Sequence, residues 1–440
     1  MSEPRPIPDA GALCPPARRC PRALLVTLPR AHRAALCLTF LFVLFFAVRG
    51  AALTLRPQGN DFTIYHDAAR AILEQRSPLD VEMYIYLPVY AVAMIPFGLL
   101  PYSVAALLWA LCSLVSLGYC ALACARLLAQ PGDRAWPWLV WSPTALCLRP
   151  IDSCFANGQV NLMIFAAVML GLTALARGRE QHGAGWLGLA AALKLVPAIF
   201  LGWLAARRRW QATVLGSGIA LGLVLLVPLP FRGLQGARDD LRRWAHEVPG
   251  PFARGGEELH ATWPRTPGQS LTGVIYRLAT DDPARLVDRS LPLEPATPET
   301  LDRAQRAVRA ASALLLALLF LPLLARPAPL GSAAWVRELA LVASTALLVA
   351  PLVHKAHFVW LLLPFATAVQ AALDERAPRI ARFPSAVALA LAAGLISGTA
   401  PALIGRSEAT YLLVYSAIFW GALALHLWLA ASVWRTALLR

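Results

Sequence analysis

Lysine is almost absent from this chain of 440 residues, although the chain is strongly basic. Lys194 and Lys355 are the only lysines, so arginine supplies 38 of the 40 basic residues. Both lysines lie in, or at the edge of, strongly apolar stretches. A charge at the centre of a membrane helix costs about 2.5–3.5 kcal/mol on insertion scales, and such residues usually have a function. The sequence therefore predicts a specific need for an ammonium group at these two positions, with a phosphate or a carboxylate as its partner.

Charged residues of either sign are scarce. They make up 15% of the chain, whereas hydrophobic residues make up 58%. Soluble domains contain about 25% charged and about 45–50% apolar residues, so the composition predicts a polytopic membrane protein. The net charge of +15 comes from arginines that lie mostly in short loops between apolar runs. That distribution is typical of the positive-inside rule and argues against binding of nucleic acid.

The chain contains no CxxC pair, and most of its eight cysteines lie in apolar segments. This pattern argues against a zinc site or a disulfide framework, and we expect neither a metal nor a cofactor. Residues 1–33 are rich in proline and arginine and are predicted to form a cytosolic tail. The apolar run 34–53 is too long for a cleaved signal peptide and is predicted to be a signal anchor.

Ten apolar runs approach the roughly 20 residues that a membrane helix needs. They are 34–53, 103–125, 136–150, 157–176, 211–230, 307–325, 333–351, 357–373, 384–402 and 410–434. Two further runs, 84–100 and 184–204, are interrupted by proline and are predicted to be partial or re-entrant. Pro197 removes a backbone donor close to Lys194, which predicts a broken helix there. We expect an all-α polytopic integral membrane protein with about ten full spans and a transmembrane domain over 34–434.

The short arginine-bearing loops predict which loops face the cytosol. These loops are 126–135, 177–183, 205–210, 326–332 and 374–383, and the C-terminal residues 435–440 join the N-terminal tail on the same side. An even number of crossings between them requires 184–204 to enter and return on one side. The remaining loops, 54–83, 151–156, 231–306, 352–356 and 403–409, are then outside. Loop 231–306 is predicted to form a small cap over the outer face.

The first outer loop contains an acidic residue at the start of a predicted amphipathic helix. Residues 61–75 carry apolar side chains at i, i+3 and i+4 spacing, which predicts a helix that lies on the membrane surface. Asp61 would occupy its first turn. There it could be the N-cap, because aspartate is favoured at that position, or a general base whose pKa is raised by partial desolvation.

Three more polar clusters fall on the predicted outer side. The first contains Arg149, Asp152, Asn157, Gly158, Gln159 and Asn161, whose amides suit sugar or phosphate oxygens; alternatively, Asn157 caps the next helix. The segment Gly268–Gly273 is either a turn or a further hydroxyl and amide cluster. The segment His354-Lys355-Ala356-His357 could hold a metal, but no carboxylate is near. We expect it to contact phosphate or sugar, or else to be interfacial.

Several segments resemble glycosyltransferase family 87 in their order and spacing, over roughly residues 34–434. They are Asn60-Asp61-Phe62-x-x-Tyr65-x-x-Ala68-Ala69, Tyr86-Leu87-Pro88, Ile95-Pro96, Asn157-Gly158-Gln159-Val160-Asn161, Ala184-Gly185-x-x-Gly188-Leu189-Ala190-x-x-x-Lys194-x-x-Pro197 and Gly268-Gln269-Ser270-Leu271. Gly268 replaces the asparagine of that family's Asn-Gln-Ser segment. Pro351 with the His354–His357 segment is similar to a motif that usually reads Ser-Pro-x-x-x-x-His.

The resemblance implies an integral-membrane glycosyltransferase of the GT-C superfamily. It would move a hexose, mannose in the first instance, from a polyprenyl-phosphate donor to a lipid- or glycan-linked acceptor, at the outer face of a bacterial inner membrane. Asp61 matches the catalytic aspartate of the family's first outer loop. A lipid-carrier flippase, or an O-antigen ligase or polymerase with a diphosphate-linked donor, remains an alternative.

The same hypothesis assigns roles to the polar residues of the outer face. Four residues would stabilise the phosphate of the donor: Lys194, Lys355, His354 and His357. Six would bind the sugar or the acceptor: Tyr65, His66, Asn157, Gln159, Gln269 and Ser270. The hypothesis requires that Asp61 and the two lysines meet in one outer cavity.

Overall fold

The computed structural model describes residues 28–56, 59–130, 132–255, 268–279 and 296–439, and all regular structure in them is helical. The helices of the first half are α1 (Arg30–Thr54), α2 (Asp61–Leu73), α3 (Pro88–Ala93), α4 (Ile95–Gly98), α5 (Tyr102–Leu128), α6 (Trp136–Leu139), α7 (Ser142–Leu146), α8 (Leu148–Ala156), α9 (Asn161–Ala176), α10 (Glu180–Leu193), α11 (Ala198–Ala206) and α12 (Trp210–Leu226).

The second half begins with α13 (Leu229–Glu247) and runs to the last residues of the chain. Its other helices are α14 (Gly250–Arg254), α15 (Leu271–Ala279), α16 (Pro298–Ala325), α17 (Ala333–Val349), α18 (Leu362–Leu373), α19 (Arg379–Ile396), α20 (Pro401–Ile404), α21 (Arg406–Val414) and α22 (Ala417–Leu438). Two 3-10 helices, Pro78–Asp80 and Lys355–Leu361, complete the set in the described residues.

Six helices among the described residues are long and apolar enough to cross a membrane, or seven if α12 and α13, bent by 92°, form one span. The six are α1, α5, α16, the continuous segment Lys355–Leu373, α19 and α22. The chain is therefore a multi-pass membrane protein. The predicted number of about ten spans is not confirmed, because α9 and α17 have only 16 and 17 residues. At 1.5 Å per residue, about 17 residues cover about 26 Å, less than a bilayer core of about 30 Å.

The helices divide into an outer and an inner set. Large apolar side chains of α1 and α5, such as Leu41, Phe45 and Leu111, project from the protein surface, as expected of faces that contact lipid. In contrast, α9, α17 and α18 are buried along most of their length and form the core. Helix α10 crosses α12 very closely, since a Cβ on Gly188 would lie 2.3 Å from the carbonyl oxygen of Gly216.

The predicted span 136–150 is not one helix, so that part of the prediction is wrong. It consists of α6, α7 and the start of α8. Pro137 and Pro143 each lie in the first turn of a new short helix. Proline is tolerated there but cannot continue the helix that precedes it. The predicted span 410–434 is also divided, because Ser416 adopts a left-handed conformation (φ 66°) between α21 and α22.

The predicted breaks are confirmed at both proline-containing runs. Run 84–100 forms the short helices α3 and α4. In run 184–204, α10 ends at Leu193, Lys194 is extended (φ −149°, ψ 130°) and α11 begins after Pro197. Lys194 is the C-cap of α10: its backbone N–H still donates to the carbonyl of Ala190 (3.0 Å), and its extended backbone ends the helix next to the protein core.

The loop 54–83 forms α2 as predicted, but the apolar face of the helix packs inside the protein and does not face lipid. Phe62, Tyr65 and Ile72 are buried inside the protein, where the helix packs against α3 and α4 and contacts Trp109 of α5. The prediction of a surface helix is wrong because aromatic side chains of α4 and α5 cover the same apolar face that lipid would otherwise cover.

Helix α13 lies against the first outer loop. Arg243 forms an ion pair with Asp80 (2.6 Å), and the indole nitrogen of Trp244 donates to the carbonyl of Ile85 (3.1 Å). Arg232 bonds the carbonyl of Gln75. The predicted cap also contains α14, α15 and the start of α16, whereas its segments 256–267 and 280–295 lie outside the described residues.

Candidate active site

The carboxylate of Asp61 is not the cap of α2. Asn60 is the N-cap residue, and its Oδ1 accepts from the backbone N–H of Thr63 at 3.0 Å. The backbone N–H of Asp61 donates instead to the carbonyl of Asn157 (2.9 Å), which ties the start of α2 to the end of α8. The Asp61 side chain is therefore free to face Gln159, and the N-cap interpretation of Asp61 is wrong.

Gly158 makes this approach of α8 to α2 possible. Its φ of +60° is a left-handed conformation, and a Cβ there would lie 2.7 Å from the Cβ of Phe62. Only glycine fits this position without moving the backbone. Asn157 does not cap α9, contrary to that interpretation of the sequence, because its Nδ2 donates to the carbonyl of Ser153 (2.8 Å).

Two amide side chains connect the carboxylate of Asp61 to the ammonium of Lys194. Gln159 Nε2 donates to Asp61 Oδ2, and Asn161 Nδ2 donates to Gln159 Oε1 at 3.0 Å. Lys194 Nζ then donates to Asn161 Oδ1 at 2.7 Å. A carboxylate only accepts and an ammonium only donates, so the two charged ends fix the orientation of both amides. We call these four side chains the amide relay.

Asp61 and Lys194 form no direct ion pair, and the relay holds them apart in one buried region. Burial raises the pKa of Asp61 to about 6, while the hydrogen bond from Gln159 and the charge of Lys194 oppose this rise. A carboxylate with this pKa is ionised at neutral pH and basic enough to take a proton from a hydroxyl group as a reaction proceeds. The arrangement thus brings a base and a cation into one buried region without pairing them directly.

Lys194 has two further neighbours. Its Nζ is 5.4 Å from the centre of the Tyr86 ring, within the range of a cation–π interaction, and 3.0 Å from His357 Nε2. The other ring nitrogen of His357, Nδ1, faces the backbone N–H of His354 at 3.1 Å. An imidazolium has no acceptor nitrogen, so these contacts require a neutral His357. A neutral imidazole accepts a hydrogen bond at only one ring nitrogen. The Lys194 ammonium and the backbone N–H of His354 compete for that acceptor, so an anion can replace His357 as a partner of Lys194.

His354 interacts electrostatically with both lysines. Burial, with the charges of Lys194 and Lys355, holds the pKa of His354 below its ordinary value. Lys355 itself does not join the amide relay, and instead interacts electrostatically with Arg149 and Asp152.

Tyr65 lies beside the relay, whereas His66 packs away from it. The Tyr65 hydroxyl is 2.9 Å from that of Tyr86, and burial, with Tyr86 and the charge of Asp61, raises the pKa of Tyr65. His66 packs against Phe62 and Tyr102, with Nε2 3.4 Å from the carbonyl of Leu100.

Gln269 and Ser270 are fully buried and anchor the chain behind His354. The backbone N–H of Gln269 donates to the carbonyl of Val353 (2.6 Å), and Ser270 Oγ accepts from the N–H of Gly273 (3.1 Å). Neither side chain has a hydrogen bond to the amide relay among the described contacts.

Two residues of this site are not among the predicted site residues: Asn161, a member of the relay, and Tyr86, which lies beside it. Asn161 was part of a polar cluster, but its position as the link to Lys194 depends on the fold. Tyr86 gave no signal beyond its place before Leu87-Pro88. An aromatic residue next to a proline is more often a packing residue, and only the cation–π geometry distinguishes it.

Comparison with known proteins gives one family match. The model of glycosyltransferase family 87 matches residues 84–351, more than half of the chain. This range contains Gln159, Asn161 and Lys194, whereas Asp61 and His357 lie outside it.

Three curated mycobacterial proteins are similar to the chain. A polyprenol-phosphate-mannose-dependent alpha-(1-2)-phosphatidylinositol mannoside mannosyltransferase of Mycobacterium tuberculosis H37Rv is 28% identical over 253 residues, which cover 52% of this chain and 56% of the relative. Two polyprenol-phosphate-mannose-dependent alpha-(1-2)-phosphatidylinositol pentamannoside mannosyltransferases match less of the chain. The protein of Mycolicibacterium smegmatis is 29% identical over 32% of this chain and 33% of its own length, and that of Mycobacterium tuberculosis CDC 1551 is 27% identical over 45% and 48%.

The chain thus spans about half the length, or less, of the curated relatives it matches. No solved structure gives a significant match to the chain.

Proposed function

The chain belongs to glycosyltransferase family 87, and from that premise we propose that it transfers a hexose, mannose in the first instance, from a polyprenyl-phosphate donor to a lipid- or glycan-linked acceptor. The named activities of its relatives, which use polyprenol-phosphate-mannose, support the donor class. The reaction needs no metal or other cofactor in this proposal.

The amide relay is the observation that carries the proposal. Glycosyl transfer needs a base at the acceptor hydroxyl and a positive charge at the leaving phosphate, on opposite sides of the anomeric carbon. Asp61 and Lys194 are such a pair, joined through Gln159 and Asn161 and not by direct contact. A direct ion pair would neutralise both groups and leave no space for the sugar.

In the proposed mechanism, Asp61 takes the proton of the acceptor hydroxyl as its oxygen attacks the anomeric carbon. The new carbon–oxygen bond forms while the bond to the phosphate oxygen breaks, and the electron pair leaves with the polyprenyl phosphate. Attack from the side opposite the phosphate inverts the configuration, so a β-linked donor yields an α-glycoside.

Lys194 meets the negative charge that develops on the leaving phosphate. The phosphate would replace the contact between Lys194 and His357. Asn161 would continue to accept a hydrogen bond from the ammonium. Tyr65, Tyr86 and Gln159 lie beside the base and the cation, where they would orient the sugar.

We place this site on the outer face of a bacterial inner membrane, with both termini in the cytosol and the broken segment 184–204 entering from one side. The distribution of arginine among the loops supports this orientation. The contacts of α13 with the first outer loop fit a cover on the same face.

The function is tested with purified, detergent-solubilised protein, labelled polyprenyl-phosphate mannose and a phosphatidylinositol mannoside acceptor. We expect labelled glycolipid without a sealed compartment. A flippase would require a sealed vesicle, and a ligase would prefer a diphosphate-linked donor. Labelled product that forms only in sealed vesicles, or a preference for a diphosphate-linked donor, would contradict the proposal.

The test of the base uses two matched variants of helix α2. Asp61→Asn retains a group that can accept from Gln159 but cannot take the proton, so we expect a loss of about 10²–10⁴-fold in turnover. Asp67→Asn removes an exposed carboxylate of the same helix and should leave the rate within about twofold. Equal rates for Asp61→Asn and the unmodified enzyme would remove Asp61 from the mechanism.

A further inference from the structure

The ammonium of Lys355 has no hydrogen bond or ion pair to any residue that the structure describes. Lys355 begins the 3-10 helix Lys355–Leu361 and is partly buried. A partly desolvated ammonium without a partner is unfavourable, because it has lost water without gaining a counter-charge. The position therefore points to a ligand that supplies one.

A second cation lies on the neighbouring helix. Arg149 of α8 is 8% exposed, and its Nη1 contacts only neutral groups, the carbonyl of Ile396 (3.3 Å) and the hydroxyl of Thr399. It interacts electrostatically with Lys355. The α8 helix and the 3-10 helix are joined directly, since Cys154 Sγ donates to the carbonyl of Ala356 at 3.1 Å. Two like charges are thus held close together by the packing of two elements.

The nearby carboxylate does not neutralise this pair. Asp152, one turn after Arg149, forms an ion pair with Arg49 of α1. Lys355, Arg149 and Arg49 are three cations, and Asp152 is the one anion among them. Together they carry a net charge of +2 in a partly buried region. Concentrated positive charge of this kind attracts an anion of complementary size, and a guanidinium with an ammonium suits phosphate oxygens.

This cation pair is separate from the cation of the amide relay. His354 interacts electrostatically with both Lys194 and Lys355. Asp61 acts electrostatically on Lys194, whereas Lys355 interacts with Arg149 and Asp152. A polyprenyl monophosphate has one phosphate, and the relay already provides Lys194 for it. The second pair would then meet a second phosphate.

We propose that Lys355 and Arg149 bind the phosphodiester of an anionic lipid acceptor, while Lys194 alone meets the phosphate of the donor. This assignment rests on the proposed function and deepens it, because it makes the enzyme selective for acceptors whose headgroup carries a phosphate. His354 separates the two phosphates, and the acceptor sugar extends from the second site towards Asp61.

The test compares two acceptors that present the same terminal mannose. One is a short-chain phosphatidylinositol mannoside, and the other is the uncharged octyl α-mannoside. In Lys355→Met we expect the KM for the anionic acceptor to rise about tenfold, equivalent to about 1.4 kcal/mol, with the KM for the neutral acceptor and for the donor changed less than twofold. Lys355→Arg should restore most of the preference. Arg406→Met, which removes an exposed arginine at the start of α21, is the control and should not alter it.

Three outcomes of the kinetic test would overturn the proposal. A rise in the KM for the donor would assign Lys355 to the donor phosphate. An equal rise in KM for both acceptors would show that Lys355 is structural. A wild-type enzyme with the same KM for both acceptors would show that the site does not select for an acceptor phosphate.

A binding measurement keeps the inference testable even if no sugar transfer occurs. Dihexanoyl phosphatidylinositol, dihexanoylglycerol and inorganic phosphate are titrated into the purified protein in an uncharged detergent, and Kd is read from tryptophan fluorescence. We expect the phospholipid to bind about tenfold more weakly to Lys355→Met, and dihexanoylglycerol to bind weakly to both proteins.

Equal phospholipid affinity in both proteins would overturn the site. Inorganic phosphate binding as tightly as the lipid would show a free-phosphate site instead. Absence of transfer with intact binding would contradict only the proposed function.

Discussion

The carboxylate of Asp61 is subject to opposing influences at the scale of single residues. Burial raises its pKa to about 6, and Gln159 and Lys194 lower it. Only the ionised form can take a proton. We therefore expect the rate of sugar transfer to fall about tenfold for each pH unit below 6 and to level off above about 7. A pH–rate profile of the purified enzyme measures this, and a rate that is constant from pH 5 to 8 would contradict it.

Gln159 should control where this profile bends. Gln159→Leu removes a hydrogen bond that favours the ionised carboxylate, so the pKa of Asp61 should rise and the acid limb should move to higher pH. The profile of Asn157→Ala is the control, because the Asn157 side chain bonds only Ser153. A Gln159→Leu profile that bends at the same pH as the unmodified enzyme would show that the relay does not act on Asp61.

Lys194 should affect the leaving phosphate more than the binding of the acceptor. For Lys194→Met we expect turnover to fall about 10²–10³-fold, with the KM for a neutral acceptor changed by less than about threefold. Steady-state kinetics with both substrates varied separate the two effects. Unchanged turnover would mean that Lys194 is structural.

The sequence singles out Asp61, Gln159 and Lys194 of the relay, but it does not predict Asn161 as the link to Lys194. Asp61 and Lys194 were identifiable because carboxylates and lysines are rare at apolar positions. Asn161 and Tyr86 were not, since an amide or an aromatic residue is common in ordinary packing. Their role depends on the break after Leu193, which brings Lys194 to them, and that distance is a property of the tertiary fold.

At the scale of helices, proline marked the breaks and glycine marked the close contacts. The run 184–204 was predicted to break because Pro197 follows Lys194, and it does. Proline has the same effect in 136–150, where Pro137 and Pro143 divide the run into short helices. The buried face of α2 was also mispredicted, since amphipathic spacing does not reveal whether lipid or protein covers the apolar side.

The crossing of α10 and α12 should be sensitive to a single methyl group. In Gly188→Ala the new Cβ would meet the carbonyl of Gly216 at 2.3 Å, so the helices must move apart. We expect a loss of about 1–3 kcal/mol in stability, measured as a lower Tm of the purified protein. Gly218→Ala is the control on α12, because nothing lies within 4 Å of its new Cβ. Equal Tm values for the two variants would show that the helices do not cross so closely.

At the scale of the whole molecule, arginine counts predict orientation, whereas the number of spanning helices that the apolar runs predict is not confirmed in the described residues. Such a run records composition, and it does not show how many of its residues are helical. Runs 157–176 and 333–351 contain helices of 16 and 17 residues, and 211–230 ends in a bend of 92°.

The orientation of the chain can be tested by labelling introduced cysteines in intact cells. Arg76→Cys lies in the first outer loop, and Glu375→Cys lies in a loop predicted to be cytosolic; both positions are exposed. We expect a membrane-impermeant maleimide to label Arg76→Cys directly and Glu375→Cys only after permeabilisation. The unmodified chain controls for its native thiols, and the reverse pattern would place the site in the cytosol.

The amide relay also has a consequence for inhibitor chemistry. Its ends present a fixed anion and a fixed cation, separated by two amide side chains. A compound that carries a protonated ring nitrogen in place of the anomeric carbon, linked to a phosphonate, would satisfy both ends at once. Neither half alone would do so, and the length of the linker would decide potency more than the identity of the lipid tail.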